Sequence, residues 1–216
     1  LFKYLSKKKE EKPETGGIKN IIFDVGQVLV DYDWETYLDS FGFEPVKRER
    51  IAKATFQSPV WDERDRGLYE EDVYLKQFQE LDPEDAEDIE KVIRGTGGTI
   101  HKRPYADTWV KYLKSKGYHL YILSNYASYM IDHTKKELTF RKEMDGEVFS
   151  CYVNQLKPEP EIYQTILDKY QLKPEESVFI DDRPENCQGA QEQGIHTICF
   201  KDFKQVTADL EKLGVK

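Results

Sequence analysis

From Pro104 onward, short apolar runs alternate with longer segments in which apolar residues recur every three or four positions. YHLYILSN, ESVFIDD and IHTICF have the length and the β-branched or aromatic content of strands, and GEVFSCYVNQ contains a shorter run of the same kind. Between and after them, YADTWVKYLKSKG, YASYMIDHTKKEL, PEIYQTILDKYQL, RPENCQGAQEQG and FKQVTADLEKLG have helical spacing. Gly117 and Gly194 mark helix ends, and Pro160 marks a helix start. Strands separated by helices align in parallel, with the helices covering both faces of the sheet. An earlier apolar run, residues 18–24, supplies one more buried strand and ends in Asp24.

Residues 35–98 have a different character. ETYLDSFGF, RERIAKATF, EEDVYLKQFQEL and PEDAEDIEKVIRG have helical spacing, with breaks at Gly42, Pro45, Pro59, Gly67 and Pro83 and no strand signal. They are expected to form a helical insertion between the first strand and the remainder. The opening LFKYLSKKKEEKPETGG stands apart, since KKKEEK is charged and PETGG breaks regular structure. Residues 1–17 are expected to be a flexible tail, with LFKYL too short to anchor in a membrane and no cleavable signal pattern.

Composition narrows the partners. A net charge of −9 repels nucleic acid and anionic membrane surfaces, so neither is expected, while a local basic group can still hold a small anion. No apolar run approaches the roughly 18 residues of a membrane span. Cys151, Cys187 and Cys199 form neither a zinc spacing nor an even disulfide set, which suits a reducing, cytoplasmic setting. The four histidines do not cluster, and no feature points to a specific protein partner.

Asp24, Ser124, Lys157, Asp181 and Asp182 each fall at the carboxyl end of a predicted strand or in the loop after it. In an open parallel sheet those ends converge on one crevice. Taken singly, Asp24 and Ser124 suit helix caps, Lys157 a surface position and Asp181–Asp182 a turn. As an ordered set they suit phosphoryl chemistry. Facing carboxylates repel, and a hard cation such as Mg²⁺ relieves the repulsion through oxygen ligands. A carboxylate can also act as a nucleophile. Lys157, the Ser124 hydroxyl and the amides that follow Asp24 are suited to stabilise charge on a transferring phosphoryl group. Gly26 permits close backbone approach, and its carbonyl can serve as a metal ligand.

FDVGQVL, ILSN, QLKPEPEIY and VFIDDRPENCQGA together resemble the four motifs of the haloacid dehalogenase-like hydrolase superfamily, in particular its phosphatase branch with a helical cap after the first strand. The resemblance runs from Ile18 to the C-terminus. It implies a Rossmann-like α/β core at residues 18–34 and 103–216, a small all-helical cap at 35–102, and hydrolysis of a small phosphorylated metabolite with Mg²⁺. Asp24 would be the nucleophile. Phosphate and substrate would be bound by Val25, Gly26, Ser124, Asn125 and Lys157, and metal by Asp24, Gly26 and Asp182, with Asp181 and Asn186 in support. The sequence departs from most such phosphatases at Gly26, where they place an aspartate that protonates the leaving group. It thereby resembles members with an FDxGxV motif that act on small sugar phosphates, including glucose 1-phosphate. Asp31 and Asp33 are the carboxylates nearest in sequence. Trp34 is a candidate for the substrate entrance, and His101, Lys102 and Arg103 mark a hinge. Two alternatives are a 2-haloacid dehalogenase, which needs no metal, and a non-catalytic phosphate- or metal-binding regulator.

Overall fold

The computed structural model describes residues 17–216; of the expected tail, all but Gly17 lies outside them. Seven strands form two sheets: β1 Asn20–Phe23, β2 Val30–Tyr32, β3 Ile100–Lys102, β4 His119–Ser124, β5 Gly146–Phe149, β6 Ser177–Asp181 and β7 His196–Cys199. The larger sheet has the order β5-β4-β1-β6-β7, and every pair in it is parallel. All four residues of β1 are buried because it lies at the centre with helices on both faces.

Side-chain alternation sorts the strands onto two cores. Ile21, Phe23, Leu120, Ile122, Val178 and Ile180 face α6 (Ala106–Ser115) and α11 (Phe203–Lys212), whose Trp109, Val110, Val206 and Leu210 complete that layer. Ile22, Leu123 and Phe179 face the opposite way, toward Ile162, Tyr163 and Ile166 of α9 (Pro160–Tyr170) and Ala190 of α10 (Pro184–Glu192). Burial of each large apolar side chain contributes about 1.5–3 kcal/mol.

Between β2 and β3 lie five α-helices: α1 Trp34–Asp39, α2 Pro45–Ala54, α3 Pro59–Arg66, α4 Glu71–Leu81 and α5 Ala86–Arg94. They bury a separate cluster that includes Leu38, Ile51, Phe78, Ile89 and Ile93. This α/β architecture, a parallel sheet covered by helices, is the fold class the alternation implied.

Two local features depart from expectation. The antiparallel β2–β3 pair, with Asp31 opposite His101, ties together the two chain crossings that lead into and out of the helices. Its strands have three residues each, too few for an alternation to stand out in the sequence. The helix expected over YASYMIDHTKKEL is only α7, Ser128–His133. Thr134 stops it: its hydroxyl bonds the Met130 carbonyl at 2.6 Å and meets the Tyr126 hydroxyl at 2.9 Å. Such back-bonding competes with helix propagation.

Candidate active site

β1 stops one residue before Asp24, β4 ends on Ser124, and β6 ends on Asp181 with Asp182 next. The core runs outward from β1 through β4 to β5, then crosses back to β6 on the other side of β1. The carboxyl ends of β1 and β6 therefore border the point where the winding reverses, where open parallel sheets leave a crevice. Lys157 enters it from the loop between α8 (Ser150–Val153) and α9.

Lys157 Nζ lies 2.9 Å from Asp24 Oδ1 and 2.6 Å from Asp181 Oδ2, and donates to the Leu123 carbonyl at 3.1 Å. Asn125 fixes the lysine's backbone from both sides: its Nδ2 donates to the Lys157 carbonyl at 3.0 Å, and its Oδ1 accepts from the Lys157 amide at 2.8 Å. The Val25 amide donates to Asp24 Oδ1 at 2.7 Å. Asp181 also accepts from the Arg183 amide at 2.8 Å and from Asn186 Nδ2 at 3.0 Å. Asn186 is held by the close approach of α10 to the lysine loop. A Cβ on Gly189 would sit 2.9 Å from the Pro158 carbonyl, so only glycine allows that approach.

Asp24, Asp181 and Asp182 each present an oxygen, all within 4.8 Å of one another. Three carboxylates thus face one ammonium. Burial pushes the Asp24 carboxyl from its ordinary 3.8 to about 6; Lys157 pulls against this rise, and Asp181 adds to it. Asp182 is also raised, first by burial and then by Asp181. Burial works against the charge on Lys157, but Asp181 and Asp24 outweigh it and hold the ammonium above its ordinary range. Asn186 Oδ1 is buried without a hydrogen-bond partner among the described residues. An all-oxygen donor set with surplus negative charge and an orphaned acceptor fits a hard divalent cation such as Mg²⁺.

Above the cluster is a cavity of about 320 Å³. Its floor includes Asp24, Gly26, Ser124, Lys157 and Asp182; its opposite wall includes Phe56, Trp61, Asp62 and Asp65 from the helical unit. Phe56 and Trp61 have ring centroids 4.9 Å apart, and Tyr32 stacks on Trp61 at 6.1 Å. These residues carried no sequence signal of a site. Asp65 in particular sits between Arg64 and Arg66 in a charged run that resembles a solvated face.

Other singled-out residues are occupied elsewhere. Trp34 stacks on Phe56 at 5.2 Å within the helical cluster. Asp33 caps α1 through the Thr36 amide at 3.0 Å. Asp31 pairs with Arg103 at 2.9 Å, and Lys102 with Asp107 at 2.6 Å. Cys187 is packed with Sγ 3.5 Å from the Asp181 carbonyl. Gly26 does not have a left-handed backbone, and a Cβ there would meet nothing within 4 Å. The left-handed residue is Gln27, φ +55°, whose side chain donates to the Tyr32 carbonyl at 2.9 Å and accepts from Arg103 at 3.2 Å.

A strand-end aspartate beside a buried lysine and paired aspartates, on a parallel core with a helical insertion, belongs to a defined class. The haloacid dehalogenase-like hydrolase family matches residues 18–194, and the chain belongs to it. D-ribitol-5-phosphate phosphatase of Bacteroides thetaiotaomicron is 26% identical over 191 residues, covering 83% of this chain and 90% of that protein. Flavin mononucleotide hydrolase 1 of Arabidopsis thaliana is 26% identical over 196 residues, 90% of this chain and 77% of the relative. Bifunctional epoxide hydrolase 2 of Rattus norvegicus is 34% identical over 107 residues, 47% of this chain, and the match spans only 19% of the rat protein. Among solved structures, the HAD family enzyme bt-2542 of B. thetaiotaomicron, in complex with magnesium and inorganic phosphate, superposes with a TM-score of 0.71 at 23% identity, covering 88% of this chain and 99% of that one.

Proposed function

We propose that the chain is a Mg²⁺-dependent phosphomonoesterase for a small organic phosphate, with a sugar phosphate as the leading substrate class. The observation that carries this reading is the cluster of three carboxylates around one buried lysine at the reversal point of the sheet. The phosphatase names among the relatives, and the magnesium and phosphate bound by bt-2542, point the same way. The volume of the cavity suits a small metabolite.

In this reading Asp24 attacks phosphorus and the ester oxygen departs with the bonding pair, leaving an aspartyl phosphate that water then hydrolyses. The Val25 amide and Lys157 orient Asp24 through Oδ1. Lys157 and the Ser124 hydroxyl hold phosphoryl oxygens, and Asn125 keeps Lys157 in place. Asp181 already engages Lys157, Asn186 and the Arg183 amide, so it positions the others. Asp24, Asp182 and the Gly26 carbonyl would hold Mg²⁺, which would supply charge neutralisation for the phosphoryl group. Residues 18–34 and 103–216 act as the catalytic core, and residues 35–102 as a cap that excludes water and shapes selection. No described helix is long and apolar enough to cross a membrane. The three free cysteines fit a reducing, cytoplasmic compartment.

The test is phosphate release from an aryl phosphate and a panel of hexose and pentose phosphates, with and without Mg²⁺, beside chloride release from 2-chloropropionate. Phosphate release that vanishes on chelation is expected. Chloride release without phosphate release would establish a dehalogenase instead.

A further inference from the structure

The loop position two residues after Asp24 carries no side chain, and neither nearby acid replaces one. Asp31 is paired with Arg103, Asp33 caps a helix, and neither lines the cavity. Four aspartates do line it: Asp24, Asp182, Asp62 and Asp65. The first two belong to the nucleophile and cation set, and Asp62 is exposed. Asp65 remains, partly buried and without an ion pair among the described residues.

Asp65 lies on α3, whose C-terminal end is fastened to the core beside the crevice. The Ser150 hydroxyl donates to the Asp65 carbonyl and accepts from the Tyr126 amide at 2.9 Å. Asn154 Nδ2 donates to the Arg66 and Gly67 carbonyls at 3.1 and 3.0 Å. Arg66 makes a two-pronged pair with Glu159, at 3.0 and 2.7 Å. Gly67, φ +73°, lets the helix end touch α8, where a Cβ would come within 2.7 Å of the Cys151 Cα. These contacts hold the Asp65 backbone over the floor.

We propose that Asp65 is the general acid and base of this enzyme, a catalytic residue supplied by the insertion in place of the carboxylate that Gly26 lacks. The inference rests on the phosphomonoesterase reading. As Asp24 bonds to phosphorus, the bond from phosphorus to the ester oxygen breaks, and the Asp65 proton passes to that oxygen to release the alcohol. In the second half, Asp65 takes a proton from water as the water oxygen bonds to phosphorus. The bond from phosphorus to Asp24 breaks with its electron pair returning to Asp24, phosphate leaves, and Asp65 is again protonated. Burial brings the Asp65 carboxyl from 3.8 to about 7, against the pull of Arg64 and the Ala127 amide, with Asp62 and Asp24 adding to the rise. Such a group both gives and takes a proton near neutrality.

The experiment compares kcat/KM for esters of graded leaving-group pKa, with chemistry rate-limiting, in the parent, in Asp65→Asn and in Asp65→Asn combined with Gly26→Asp. The parent is expected to show a shallow dependence. Asp65→Asn is expected to lose about 10²–10⁴-fold on alkyl phosphates while staying within about threefold on 2,4-dinitrophenyl phosphate, whose leaving group needs no proton. The added aspartate, for which Gly26 has room, is expected to restore much of the alkyl activity. Equal loss on all esters, loss on none, or a steep dependence already in the parent would each overturn the assignment. A parent that hydrolyses no phosphate ester would instead sink the phosphatase reading, and this inference with it.

Discussion

On the floor of the crevice Asp24 and Asp181 are drawn into a network: Lys157 bridges them, and Asp181 is held further by Asn186 and the Arg183 amide. On the facing wall, Asp65 lines the cavity together with the rings of Tyr32, Phe56 and Trp61 and pairs with no cation among the described residues. A network holds charges fixed where a phosphoryl group would sit. An acid without a cationic partner can change its charge during a reaction. In the proposed mechanism the sheet side stabilises charge and the helical side moves the proton.

The largest effect that would break this division is at Asp24. Asp24→Asn keeps the shape but removes the nucleophile, and turnover is expected to fall on the order of 10⁴-fold or more, with substrate binding retained. Turnover within tenfold of the parent would end the covalent mechanism. Next, Lys157→Met leaves Asp24 and Asp181 buried without their cation. It should abolish activity and lower unfolding stability by about 3–5 kcal/mol, read by urea denaturation.

Metal should sharpen the contrast through pH. Asp24 and Asp182 are raised, the reverse of the usual carboxylate. A raised acid carries no penalty below its unfolded value and the full penalty above its folded value. For Asp24 that window runs from 3.8 to about 6, so metal-free protein should lose stability as pH rises through it. Mg²⁺ needs both groups ionised, so its affinity should climb over the same window and level off above it. At one fixed concentration, about a hundredfold above the Kd at pH 7.5, it should add about 2.7 kcal/mol at pH 7.5 and less at pH 5, measured as Tm shifts. An equal shift at both pH values would place the cation elsewhere. The smallest effect is expected for Ser150→Ala, which frees the Asp65 backbone. A loss of about 1–3 kcal/mol in stability is expected, with a decrease in kcat/KM confined to poor leaving groups.

Much of the sheet side was legible because it is written locally. Strands β1, β4 and β6 are apolar runs, and Asp24, Ser124 and Asp181–Asp182 sit at their carboxyl ends, so strand direction alone gathers them. Lys157 needed only the loop before α9. The helical side was opaque for a physical reason. Asp65 owes its position to Ser150 and Asn154, which lie more than eighty residues away in the chain. Its neighbours Arg64 and Arg66 disguise it as one member of a charged run, although they are committed to Glu71 and Glu159. The β2–β3 pair was missed because its strands, three residues each, are too short for a period to register.

Glu159 joins two things that the chain keeps far apart. It grips Arg66 on the insertion, and its Oε2 also accepts from the Leu156 amide at 3.0 Å, one residue before the lysine that bridges Asp24 and Asp181. If the insertion lifts to admit a ligand, this carboxylate must release it, and the strain reaches the Lys157 loop first. Half-exposed ion pairs of this kind are worth about 0–1 kcal/mol and weaken in salt. The pair is therefore the salt-sensitive part of a fastening whose other bonds, from Ser150 and Asn154, are neutral, so raising the ionic strength should loosen the insertion without altering Asp24, Lys157 or Asp182.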